Sequence, residues 1–207
     1  MRISILLFVL ACCSVVAVSE DGAQYLVIAR DEYVASVEPL VEWKRLSGTS
    51  SKLVSTSEVG SDTGSIHSYI RNAYQTWPVK PEYVVLVGHP STISSFRYGQ
   101  RWPYYSDNSY GDVSGDFRAE LMVGRFPVRS ADQCDEMVEK ALAYERTPDL
   151  SDSLWMRRLT TVVNDFNDSD SLIYWQNARY LAMRAGAVGF VSCDSLCYSR
   201  GHGLSHL

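Results

Sequence analysis

The sequence predicts an α/β fold built on a mainly parallel sheet, and two observations carry that prediction. Short runs of β-forming residues alternate with stretches whose apolar residues recur at helical spacing, the pattern of parallel strands joined by right-handed crossovers. The run Tyr83–Val87 (YVVLV) is apolar throughout, as expected of a strand covered on both faces, which places it near the middle of the sheet. The composition, 46% hydrophobic and 21% charged over 207 residues, suits a packed core in one large domain or two small ones.

The elements follow in order. Gln24–Ala29 (QYLVIA) is a short buried strand. A helix begins at Asp31, with Val34, Val37, Leu40, Val41 and Leu46 on one stripe, and Gly48 ends it. Lys52–Thr56 is a second strand. Ser65–Trp77 is a second helix, with Ile66, Tyr69, Ile70, Ala73 and Tyr74 at helical spacing and Pro78 just past its end. Pro90–Phe117 breaks the alternation: it holds Gly, Ser, Asp and Pro with six tyrosines and phenylalanines and Trp102, which fits a hairpin or a long ordered loop. Glu120–Phe126 (ELMVGRF) is the next strand, and Ser130 caps a helix whose apolar face is Met137, Val138, Ala141, Leu142 and Tyr144. Pro148–Ser153 is a polar connector and marks a subdomain boundary. Beyond it the alternation restarts with a strand over Arg158–Val163 ending in Asn164-Asp165. A helix over Ser171–Arg184 ends at Gly186, a strand follows over Val188–Ser192, and a helix starts at Gly203.

The N-terminus is of another kind. Arg2 supplies a positive charge, Ile3–Leu10 is an unbroken apolar run, and Ala17-Val18-Ser19 offers the small residues of a cleavage site, so residues 1–19 are expected to be a secretory signal. Val9-Leu10-Ala11-Cys12 is a looser match to a lipidation box. The net charge of −5 argues against a nucleic-acid partner, and no later segment is apolar and long enough to cross a bilayer. After the leader the chain keeps Cys134, Cys193 and Cys197. A Cys193–Cys197 bridge and three thiols are both compatible with that count, the thiols being preferred.

Several phrases resemble the gingipain family of secreted bacterial cysteine peptidases. YLVIARDEY with PLVEWKRLSG resembles the family's first strand and helix. YVVLVGH resembles its central strand, with His89 where the family commonly has Asp. SYGDVSGD followed by ELMVGRFPVRS resembles its most specific passage, and ALAYERTP the helix end after it. The resemblance implies a caspase-like three-layer sandwich, with residues 23–150 as a first subdomain and 155–207 as the start of a second, truncated one. It also implies a secreted or surface-exposed endopeptidase acting on protein or peptide substrates, in which a thiolate attacks the scissile carbonyl and a His protonates the leaving amine. The alternative is a non-catalytic module of the same fold, used in export, processing or adhesion.

The resemblance also implies roles for particular residues. Arg200-Gly201-His202-Gly203 matches the family's His-Gly phrase, which makes His202 a candidate. The polar residues before it and the register of the preceding strand instead place the catalytic His, and the Cys after it, beyond Leu207. Asp165, at the carboxyl end of a strand, is a candidate to orient that His. Asp170 is a candidate for a carboxylate that binds a basic substrate side chain, or else Ser169 or Asp170 caps the next helix. No cofactor is required. Calcium is possible as a structural ion in the loop holding Asp107, Tyr110, Asp112 and Asp116, with Asp112 and Asp116 spaced as ligands; a solvated turn is the other reading.

Overall fold

The computed structural model describes residues 22–151, 153–165, 168–199 and 203–206. The expected leader at residues 1–19 lies outside them. The chain forms two compact units, one ending at Arg146 and one beginning at Thr147.

The first unit opens with β1 (Tyr25–Ala29), a 3-10 turn over Asp31–Tyr33 and α1 (Val34–Leu46). Next come β2 (Ser51–Ser55), a one-turn α2 (Thr56–Val59), α3 (Thr63–Thr76) and β3 (Tyr83–Val87). The hairpin strands β4 (Phe96–Tyr98) and β5 (Tyr104–Ser106) precede β6 (Met122–Phe126) and α4 (Ala131–Arg146). The sheet order is β2-β1-β3-β6 and every pairing is parallel. The apolar run read as central is an interior strand, between β1 and β6. Local signals set the helix starts: Ser55 and Glu58 form a capping box at α2, and the Asp62 carboxylate accepts the Ser65 N–H at 3.0 Å at α3.

Strand alternation sends Leu26, Ile28, Val84 and Leu86 to one face, where α3 brings Ile66 and Ile70. Val27, Ala29 and Val87 face the other way, onto Val37, Leu40 and Val41 of α1 and Cys134, Val138 and Leu142 of α4. The result is helix, sheet, helix: the three-layer sandwich expected from the sequence. Tyr144, placed on the apolar face of α4 by spacing, is 61% exposed; Cys134 fills the buried stripe instead. The aromatic insert does more than loop out. Ile93, Tyr110, Val113 and Leu121 are buried in the same core as Leu26 and Leu86, so the connection from β3 to β6 packs into the core on the α3 face of the sheet.

The second unit holds a 3-10 turn over Ser153–Arg157, β7 (Arg158–Asp165), α5 (Asp168–Ala187), β8 (Ser192–Ser199) and β9 (Gly203–His206). β7 and β8 are parallel, and β9 returns antiparallel to β8. Two expectations fail here. The strand read as Val188–Ser192 lies further on, because Val188 and Phe190 donate their N–H groups to Ala185 O in the turn that ends α5. The helix read from Gly203 is a strand, because Gly203–His206 pairs in register with Leu196–Ser199. In both places polar side chains hid an extended backbone whose ladder partners are distant in sequence. Among the described residues no helix is long and apolar enough to cross a membrane.

Candidate functional site

In a parallel α/β sheet, chemistry collects outside the carboxyl ends of the strands. At that edge of the first unit, Asp31 follows β1 and its carboxylate accepts hydroxyl bonds from Thr56, at 2.8 Å, and Ser57. These bonds, Ser57's first, hold Asp31 below the usual carboxylate range against a small opposing effect of burial. His89 follows β3 by way of Gly88. Arg129 donates to His89 Nε2 at 2.7 Å, while Nδ1 lies 2.8 Å from Ser91 Oγ. The Ser91 backbone N–H also points at His89 Nδ1, at 3.1 Å.

Arg125, near the end of β6, organises this edge. Its Nε and Nη2 grip both oxygens of Asp107 at 2.7 and 2.8 Å. Its Nη1 donates to Gly88 O at 2.8 Å and Ile93 O at 3.0 Å, and Nη2 also reaches Ser95 Oγ at 3.2 Å. One planar guanidinium thus ties the segment after β3 to the segment after β5, which a Lys could not do. Burial works to raise the Asp107 carboxyl, but hydrogen bonds from Arg125 and Ser95 and the guanidinium charge outweigh it and hold it below the ordinary range. This network escaped the sequence reading, which placed Asp107 and Tyr110 among calcium candidates. Asp107 is occupied by Arg125, and Tyr110 is fully buried with its hydroxyl donating to Ser94 O. The Arg in GRFPV was the available signal.

Asp112 and Asp116 do come together, and Glu120 joins them: one ligand oxygen from each lies within 4.8 Å of the others. Glu120 was missed because it was read as the start of a strand. The carboxylates also order the loop. Asp112 accepts the N–H groups of Gly115 at 2.7 Å and Phe117 at 2.9 Å, and Glu120 accepts that of Val113 at 2.9 Å. Phe117 is held at a positive φ of 67° by that bond. His67 Nε2 lies 3.0 Å from Asp112 O, anchoring the loop to α3.

In the second unit Asp165 is the last residue of β7, in register with Ser199 at the carboxyl end of the parallel pair, as the sequence places it. Asp170 is the third residue of α5, inside the first turn, where an acid suits the helix dipole and does not occupy the N-cap. The side chains of both lie outside the described residues, and so does His202. One premise against His202 falls, however: the polar stretch before it is the strand β8, not a loop.

The cysteines are clearer. Cys193 is a free thiol. It and Cys197 are four residues apart on one strand, about 13 Å in extended backbone, so they cannot form the bridge. Cys193 lies at the amino end of β8, opposite the carboxyl end where Asp165 and Ser199 pair. Cys134 is fully buried, and burial, with a smaller push from Asp135, raises its thiol to about 11. Neither is placed as a nucleophile. With iodoacetamide at about pH 8 the native protein is expected to leave Cys134 unmodified, while urea exposes it; mass mapping checks this.

The profile of peptidase family C25 matches residues 18–200. Lys-gingipain of Porphyromonas gingivalis is 28% identical over 133 residues, which is 61% of this chain and 8% of that protein. Gingipain R2 of the same organism is 24% identical over 131 residues, 61% of this chain and 17% of that protein. The crystal structure of the Arg-specific cysteine proteinase gingipain R superposes with a TM-score of 0.68 at 19% identity, over 88% of this chain and 42% of that one. The complex of Porphyromonas gingivalis RgpB pro- and mature domains gives a TM-score of 0.70 at 20% identity, over 86% and 43%. The chain thus spans less than a fifth of the length of these curated relatives and under half of the solved chains.

Proposed function

The chain belongs to peptidase family C25, and from that premise we propose that it is part of a secreted or surface cysteine endopeptidase whose catalytic His and Cys lie beyond Leu207. The observation that carries this reading is that neither described thiol is placed for attack, Cys134 being buried with its thiol pushed up and Cys193 lying at the amino end of β8, in a chain that fits the family over most of its length. The parts of the mechanism proposed for this chain are supportive. Asp165, at a strand's carboxyl end, accepts a hydrogen bond from the catalytic imidazole and fixes its orientation. Asp170 offers a carboxylate to a basic substrate side chain. The thiolate from the downstream segment adds to the scissile carbonyl carbon, and the imidazolium passes its proton to the departing amine. The apolar run at residues 3–10 directs export.

The test compares the 207-residue chain with the product of the reading frame continued past Leu207. The longer protein is expected to cleave peptides, and iodoacetamide to abolish the activity; the shorter one is expected to be inactive. An in-frame stop directly after Leu207, or a longer protein without alkylation-sensitive cleavage, leaves the non-catalytic export, processing or adhesion module as the reading.

Calcium at Asp112, Asp116 and Glu120 belongs to this proposal. Three carboxylates at this spacing supply part of a calcium ion's oxygen shell, with water and carbonyls for the rest. At about 100 times the dissociation constant, calcium is expected to stabilise the protein by roughly 2.7 kcal/mol, a rise of roughly 5–10 °C in Tm. Asp116→Asn is expected to remove the rise. Equal melting in calcium and in EDTA would leave the cluster as a loop brace alone.

A further inference from the structure

The β4–β5 hairpin is built like a recognition surface and is used by nothing described so far. Phe96 meets the buried Tyr110 edge-on at 4.9 Å, Tyr98 stacks on Phe96 at 6.5 Å, and Tyr104 stacks on Tyr98 at 5.4 Å. The Tyr98 hydroxyl bonds Ser109. Gly99 makes the turn at a φ of 76°, where a Cβ would lie 2.4 Å from Trp102 O. An aromatic column therefore fixes the hairpin from the core to its tip.

What that support presents to solvent is distinctive. Trp102 is 79% exposed, Tyr105 65% and Tyr104 59%. Arg97 and Tyr105 are cross-strand partners and share the face opposite the column, and the Arg101 guanidinium lies 5.9 Å from the Trp102 ring. Between residues 96 and 106 there are two arginines and no acidic residue, in a chain of net charge −5. The local sign is the reverse of the chain's, so charge selects an anionic partner here. Trp, Tyr and Arg are the residues that dominate the energetics of protein interfaces, and holding them on a rigid hairpin removes much of the ordering cost of binding. Among the described residues, β4 and β5 pair with no strand but each other, so each keeps a backbone edge that an extended segment can join.

We propose that this hairpin is a docking surface for an extended, acidic segment of a protein substrate, with Arg97 and Arg101 pairing to its carboxylates and Trp102 and Tyr105 packing on its side chains. The proposal rests on the protein-substrate reading above. It is tested by binding without cleavage, so peptide binding with no peptidase activity would leave it standing while the peptidase reading fails.

The probe is a short fluorescein-labelled peptide of alternating Glu and Tyr, followed by anisotropy on the full chain. It is expected to bind, to weaken as salt screens the arginines, and to lose at least about tenfold in affinity in R97E/R101E and in W102A/Y105A. Both variants change exposed groups, and circular dichroism is expected to show an unchanged fold. Equal binding of the peptide with Gln in place of Glu would overturn the proposal. So would unchanged affinity in the two variants, or binding to phosphatidylglycerol vesicles with none to the peptide.

Discussion

Replacing Arg125 with Met is expected to destabilise the first unit by about 3–5 kcal/mol, the cost of stranding a buried charge when its partner is removed. The side chain is only 8% exposed and Asp107 23%. Met fills much of the same volume but takes the guanidinium away from Gly88 O, Ile93 O and Asp107, which keeps only the Ser95 hydroxyl. The pH dependence distinguishes this cause from a packing loss. In the native protein the Asp107 carboxyl sits below its ordinary value. Its stabilisation is therefore present above the unfolded carboxylate pKa of about 3.9 and is lost as pH falls through the lower folded value. In the Met variant only the Ser95 hydroxyl is left to oppose burial, which favours the protonated acid, so the gap between variant and wild type should narrow on acidification. Urea titrations at about pH 7 and pH 3 read this. An equal gap at both would assign the loss to shape.

Tyr110→Ala is expected to cost about 3–5 kcal/mol, the range for removing a large buried ring. Tyr110 is fully buried, supports Phe96 and, through it, the aromatic column, and bonds Ser94 O. The loss should therefore release the hairpin to proteases as well as lower the melting temperature. Tyr110→Phe keeps the ring and is expected to cost only about 1 kcal/mol. Burial raises the phenol to about 12, with Arg125 pulling down and Asp107 pushing up. A folded value above the unfolded one gives stability that is full below about 10 and is lost as pH rises through the folded value. Tyr110→Phe should thus flatten the alkaline limb. Tyr25, also raised to about 12 by burial and Glu145, keeps part of the slope.

The first unit was legible because its signals are local. The continuous YVVLV run, the helical stripes of Val37, Leu40 and Val41, and the glycine after Leu46 each state their own element. The second unit was less so. SCDSLCYS carries few strand formers and is a strand only because β7 and β9 pair with it, and tertiary pairing of that kind leaves no periodic trace. The site followed the same division. Asp165 could be placed at a strand end because the apolar run before it defines that end. Arg125 gripping Asp107 joins residues 18 apart in sequence through a buried fork, and nothing in spacing announces it. The Asp112 and Asp116 pairing was visible as a cluster, whereas Glu120 entered only through the fold of its loop.

The central claim is that this chain is the supporting part of a C25 peptidase, with its nucleophile elsewhere. The most direct measurement is peptide hydrolysis by the protein expressed from the continued reading frame with Cys134→Ala, Cys193→Ser and Cys197→Ser combined. The account predicts activity within about threefold of the unsubstituted protein, still abolished by iodoacetamide. Loss of activity in a variant that keeps its fold by circular dichroism would contradict it, because one of these three thiols would then be doing the chemistry.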